Sequence, residues 1–105
     1  MAEPLQTTEG LKPGDVVTYS LRIKPKSGEE PYWMTRFAAV VAVRGLRRLE
    51  VLTLVLHPDP KWEPRVLTLR SDDTTVTFLP EDRWPQGVVA MRMKHIHTGR
   101  IRLED

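Results

Sequence analysis

The chain has 105 residues and a formal net charge of +2, enough for one domain with a modest core and too few for two. It contains no cysteine, which excludes a disulfide framework and thiolate metal sites. Its 40% hydrophobic and 29% charged residues place it among globular chains and not disordered ones. No apolar run reaches the length of a membrane-crossing helix, and the opening Met1-Ala2-Glu3-Pro4 is too acidic and polar for a signal peptide. A cytoplasmic location is therefore expected.

Residues 1–10 show no periodicity and are expected to form a flexible N-terminal arm, leaving residues 11–105 as a single β-barrel domain. Leu11-Lys12-Pro13-Gly14-Asp15 reads as a turn, with proline fixing one dihedral, glycine supplying a conformation other residues resist, and Asp15 accepting backbone hydrogen bonds. Val16 to Lys24 then alternates: Val17, Tyr19, Leu21 and Ile23 share one face and Thr18, Ser20, Arg22 and Lys24 the other. This is the pattern of an antiparallel strand with one wet face. Pro25 to Pro31 is a polar loop, and Tyr32, Trp33 and Met34 follow it as either a lid over a barrel end or an exposed recognition patch.

The stretch from Thr35 to His57 is the most hydrophobic in the chain. It predicts two strands, Arg36–Arg44 and Leu49–His57, joined by a basic turn. The second strand is apolar on both faces, so either a closed barrel or a buried face against a second copy is expected around it. His57 to Pro64 carries three prolines and Trp62, which makes it a stiff connection. Arg65 to Arg70 and Thr74 to Leu79 read as further strands paired as a hairpin through the Ser71-Asp72-Asp73 turn. Pro80 to Pro85 suits one short helical turn. Val88 to Ile96 reads as a strand with Val89, Met91 and Met93 on one face. His97-Thr98-Gly99 reads as a tight turn, and Arg100 to Glu104 as a final edge strand. With no convincing amphipathic helix, the expectation is an all-β fold, a small barrel or roll of six to seven mostly antiparallel strands.

The opening Pro13-Gly14-Asp15-Val16-Val17, then a loop and an apolar hairpin, resembles small SH3-like barrels. From Gly14 to about Val43 it is also similar to RNA-cleaving toxins of the MazF/PemK type, which are comparable in length and begin with Gly-Asp-Val before a strand. Where those toxins carry a basic and proline pair, this chain has Thr35-Arg36-Phe37, so the resemblance transfers no catalytic residue.

The charge distribution supplies the candidate sites. Arg36, Arg44, Arg47 and Arg48 lie in one stretch without an acid, and Arg92, Lys94, Arg100 and Arg102 in another. If both were strands, their alternation would build a basic ladder able to bind phosphates, with aromatic side chains available to stack on bases. Tyr32, Trp33, Trp62 and Trp84 all sit beside prolines or turns and are the candidates for contact with a protein partner, since tryptophan is enriched where partners dock. His95 and His97 would share a strand face, with His57 as a third nitrogen, yet this spacing does not define a metal site. Neither Walker, Rossmann nor nucleophile-elbow glycine patterns occur. The leading expectation is a small non-catalytic interaction or regulatory module binding a protein partner, with self-association into a homodimer as an option. The alternatives are nucleic-acid binding through the basic face and, last, an RNA-cleaving or metal-dependent enzyme. No cofactor is expected.

Overall fold

The computed structural model describes residues 3–56, 59–70 and 74–103. The alternating and apolar runs become five strands: β1 (Val16–Ile23), β2 (Tyr32–Gly45), β3 (Arg48–Val55), β4 (Lys61–Thr68) and β5 (Thr74–Phe78). They form one antiparallel sheet in the order β4-β3-β2-β1-β5. The predicted apolar hairpin is its centre, with Val40 opposite Val51 and Ala39 opposite Leu52. The protein is mostly β with one short α-helix, α1 (Gln86–His97), preceded by a single 3-10 turn at Glu81–Arg83 where a helical turn was expected.

Both faces of the sheet carry cores, as the two-sided apolar character of β3 requires. On one face Val17, Tyr19, Val40, Leu49, Val51 and Val76 pack together, with Leu67 and Leu69 joining from the far edge. Since Leu67 lies on β4 and Val76 on β5, the two edge strands contribute to the same core and the sheet is curled. At the centre of this core the Tyr19 hydroxyl lies 2.7 Å from the buried Thr53 hydroxyl, which also reaches the Phe37 carbonyl at 3.4 Å. Tyr19→Phe removes a buried partner, so it is expected to lower unfolding stability by about 1 kcal/mol. A denaturant titration checks this.

The opposite face packs Val16, Ala39, Leu52 and Trp62 against Val88 of α1 and against Ile101, with Met91, Ile96 and Trp84 at the margin. Here the structure corrects the predicted strand count. Val88 to Ile96 is helix and not strand. Its buried face is Val88, Met91, Arg92, His95 and Ile96, a helical i, i+3, i+4, i+7, i+8 stripe. Two of those five positions are polar, while Val89 and Met93 are exposed, so the stripe is invisible to an apolar-only pattern. The His97-Thr98-Gly99 turn is the end of this helix. Gly99 adopts φ +83, and its N–H and that of Arg100 close back on the carbonyls of Ile96 and His95. The segment from Arg100 onward forms no strand through Leu103; Ile101 inserts into the core instead.

The expected hairpin between Val66–Leu69 and Val76–Leu79 is also absent. β4 pairs with β3, and β5 pairs with β1 on the other side of the sheet. β1 has no vacant edge once β2 and β5 flank it, and the curl brings the two outer strands into one core without pairing them. No helix among the described residues is long and apolar enough to cross a membrane.

Candidate nucleic-acid interface

The β2–β3 turn concentrates positive charge at one end of the sheet. Register shifts near Val43 and Gly45 break the regular alternation there, and irregularities of this kind re-aim side chains. Arg44, Leu46, Arg47 and Arg48 line a shallow groove with Thr68, Leu69 and Arg70. Arg70 enters because β3 and β4 run antiparallel, with Arg48 opposite Thr68, so that two residues further on the chain lies beside the turn. Arg70 has φ +60, a left-handed conformation unusual for a side chain of its size.

Three successive carbonyls of the turn are engaged. The Thr8 hydroxyl donates to Gly45 O at 2.8 Å, the Thr8 N–H donates to Leu46 O at 2.8 Å, and the Leu69 N–H donates to Arg47 O at 2.8 Å. The turn is thus fixed from two directions by distant parts of the chain. Arg44 forms a salt bridge with Glu50 through both Nε and Nη2, which offsets its charge. Arg47, Arg48 and Arg70 form no salt bridge among the described residues.

The other predicted arginines divide. Arg100 lines a recess with Val41, Glu50 and Pro64, and Arg102 lines one with Val41, Ala42 and Val43. Both therefore adjoin the same half of β2, although not as a strand ladder. Arg92 is drawn inward: its Nε donates to Gly14 O at 2.6 Å, and its guanidinium lies 4.7 Å from the centre of the Trp84 ring. Lys94 is exposed on α1, and Arg36 lies opposite Tyr19 in the β1–β2 register, away from the turn. The ladder of Arg92 and Lys94 beside Arg100 and Arg102 does not form, because neither segment is a strand. Sequence reasoning missed Arg70. Only the β3–β4 register would have placed it beside Arg47.

The aromatic candidates divide as well. Trp62 is 7% exposed and packed in the core. Trp84 is half-buried, its indole N–H donating to Leu79 O at 2.9 Å. Tyr32 and Trp33 are 49% and 53% exposed at the start of β2, where it pairs with the far end of β1.

His95 and His97 do not converge on a site. His97 is exposed, and on a helix a spacing of two sends it away from His95. His57 lies outside the described residues. Among the described residues no three His, Asp or Glu side chains converge as metal ligands. His95 is buried, with its ring 6.0 Å from that of Trp62 in an edge-on arrangement, and neither of its nitrogens has a hydrogen-bond partner. Burial holds its pKa below the usual histidine value, and the charges of Arg100 and Lys94 add to the effect. The neutral ring is the folded form. As pH falls below the ordinary histidine value the unfolded chain takes up a proton that the native state refuses, so stability drops. Thermal melts are expected to show a falling Tm between about pH 7 and pH 5, and His95→Phe to remove that part of the dependence.

No family model matches the chain, and no curated protein or solved structure matches it.

Proposed function

We propose that this protein is a non-catalytic nucleic-acid-binding module that holds phosphates at its arginine end. One observation carries the reading: Arg47, Arg48 and Arg70 surround a single groove on a turn whose backbone is already tied down by Thr8 and Leu69. Guanidinium groups match phosphate oxygens with two parallel hydrogen bonds, and a fixed turn loses little entropy when a ligand docks. Two of the three tryptophans are occupied in packing, which weakens the case for a broad tryptophan-lined protein surface.

A curled five-stranded sheet in the order β4-β3-β2-β1-β5, lined on both faces, supports reading the fold as an SH3-like barrel. The cysteine-free chain supports a cytoplasmic setting. A second reading, a protein-contact and regulatory module, is favoured by the exposure of Tyr32 and Trp33 on an arm remote from the arginines.

Fluorescence anisotropy with a labelled oligonucleotide of roughly 20 residues, single-stranded and duplex, tests the nucleic-acid reading. Binding is expected at about 50 mM salt and is expected to weaken at least tenfold by about 200 mM. A chain that binds neither oligonucleotide at the lower salt overturns it.

A further inference from the structure

The sheet has three places where strand backbone could face solvent edge-on, and two of them are guarded. Val40 turns both its backbone hydrogen bonds towards Gly14 and Asp15, so by alternation its neighbour Ala39 bonds to the opposite residue Leu52 of β3, and the Leu52 backbone groups turn away from β4. By the same alternation Pro64 points its backbone nitrogen outward from β4, where it has no N–H to offer a new strand. On β5 the outward carbonyl of Val76 already accepts the Leu5 N–H at 2.7 Å. Proline and covering segments of this kind are how natural sheets prevent edge pairing.

Among the described residues the third edge carries neither device. Within β2, β3 pairs only from Ala38 to Gly45, so Tyr32 to Arg36 has ladder partners on the β1 side alone among the described residues. Val40 exchanges its hydrogen bonds with Gly14 and Asp15 on the β1 side. Alternation from Val40 turns the N–H and C=O groups of Trp33 and Thr35 toward the open edge.

We infer that this edge of β2 pairs with the same edge of a second copy, forming a two-fold dimer whose sheets run continuously through the β1–β2 arms. The inference rests on the protein-contact reading of Tyr32 and Trp33 and is independent of the arginine end. The occupant follows from self-complementarity. With the two-fold axis at Met34, Trp33 of one copy stands opposite Thr35 of the other, and the four open backbone groups of each copy are all satisfied. Tyr32 then faces Arg36 across the junction, placing a cation beside an aromatic ring with no like charges opposed. The half-exposed Tyr32 and Trp33 lose surface in the same step.

Sedimentation velocity of the full chain over a concentration series tests this. The expected species has about twice the 12.1 kDa chain mass. Thr35→Pro, which removes an outward N–H, is expected to return the monomer. So is Tyr32→Lys, which sets lysine against Arg36 at an exposed position. A monomer at every concentration, or a dimer that both variants leave intact, overturns self-pairing. The surface reading fails separately. Acrylamide quenching compared between Thr35→Pro and the same variant carrying Trp33→Phe is expected to show an accessible Trp33 in the monomer, and a shielded Trp33 there would overturn that reading instead.

Discussion

Gly14→Val is expected to lower unfolding stability by roughly 3 kcal/mol or more. Two causes add. Gly14 sits at φ +94, where a β-branched residue is strained. A side chain there would also meet Leu103 and the Arg92 guanidinium, which lies 3.0 Å from the position of the first added carbon. Leu103 is half-exposed and can move aside. Arg92 cannot, because its Nε is bonded to the Gly14 carbonyl and its plane rests on Trp84. The same glycine anchors β1 to β2 through its N–H to Val40 O at 2.9 Å. Displacing it therefore loosens the first strand, the helix and the central strand together. Gly28→Ala is the control: Gly28 has φ +81 but nothing within 4 Å, so only the backbone term of about 1 kcal/mol is expected. Guanidinium denaturation of the two variants separates the strain from the clash.

The second large effect concerns binding. Replacing Arg47, Arg48 and Arg70 together by alanine is expected to weaken oligonucleotide binding on the order of a hundredfold and to flatten its salt dependence. Each phosphate contact contributes about 0.7 to 0.9 to the slope of log affinity against log salt, so losing three should reduce the slope by about two to three. Stability should change little, because all three side chains are exposed and the backbone bonds from Thr8 and Leu69 that hold the turn do not involve them. Arg44→Ala is expected to do less to binding, since its guanidinium is already satisfied by Glu50. Unchanged circular dichroism together with lost binding is the expected joint outcome.

β1 was legible because packing wrote it with period two, Val17, Tyr19 and Leu21 on one face, and β3 because it is apolar on both faces. The turn at Pro13-Gly14-Asp15 was legible through its chemistry, and Asp15 does accept the Lys12 N–H at 3.1 Å. The helix was not legible by hydrophobicity because Arg92 and His95 occupy its inner face, one satisfied by the Gly14 carbonyl and the other buried against Trp62. Its termini did leave marks, Pro85 at the start and Gly99 past the end, the asymmetry that helices favour. Two adjacent valines at Val88 and Val89 argued for a strand, and tertiary packing overrode that preference.

The arginine end was half legible. Arg44, Arg47 and Arg48 are neighbours in sequence, so any fold keeps them together. Arg70 joins them through the β3–β4 register, whereas the return of the C-terminal segment brings Arg100 and Arg102 to Val41. Those are long-range facts that no local pattern encodes. Arg92 fell the other way, since its neighbours in sequence gave no sign of the Gly14 carbonyl waiting for it.

Position, and not total charge, is the central claim, and one comparison isolates it. The triple variant at Arg47, Arg48 and Arg70 is set beside a triple variant at Arg22, Lys24 and Lys26. All three of these lie at the far end of the β1–β2 arm, roughly 40 Å away along β2 at strand rise. Both variants lose the same three charges. Anisotropy titration of one labelled oligonucleotide at low salt is predicted to show binding lost in the first and retained within a few-fold of wild type in the second. Equal losses in the two would contradict the account, leaving diffuse net charge as the source of any binding.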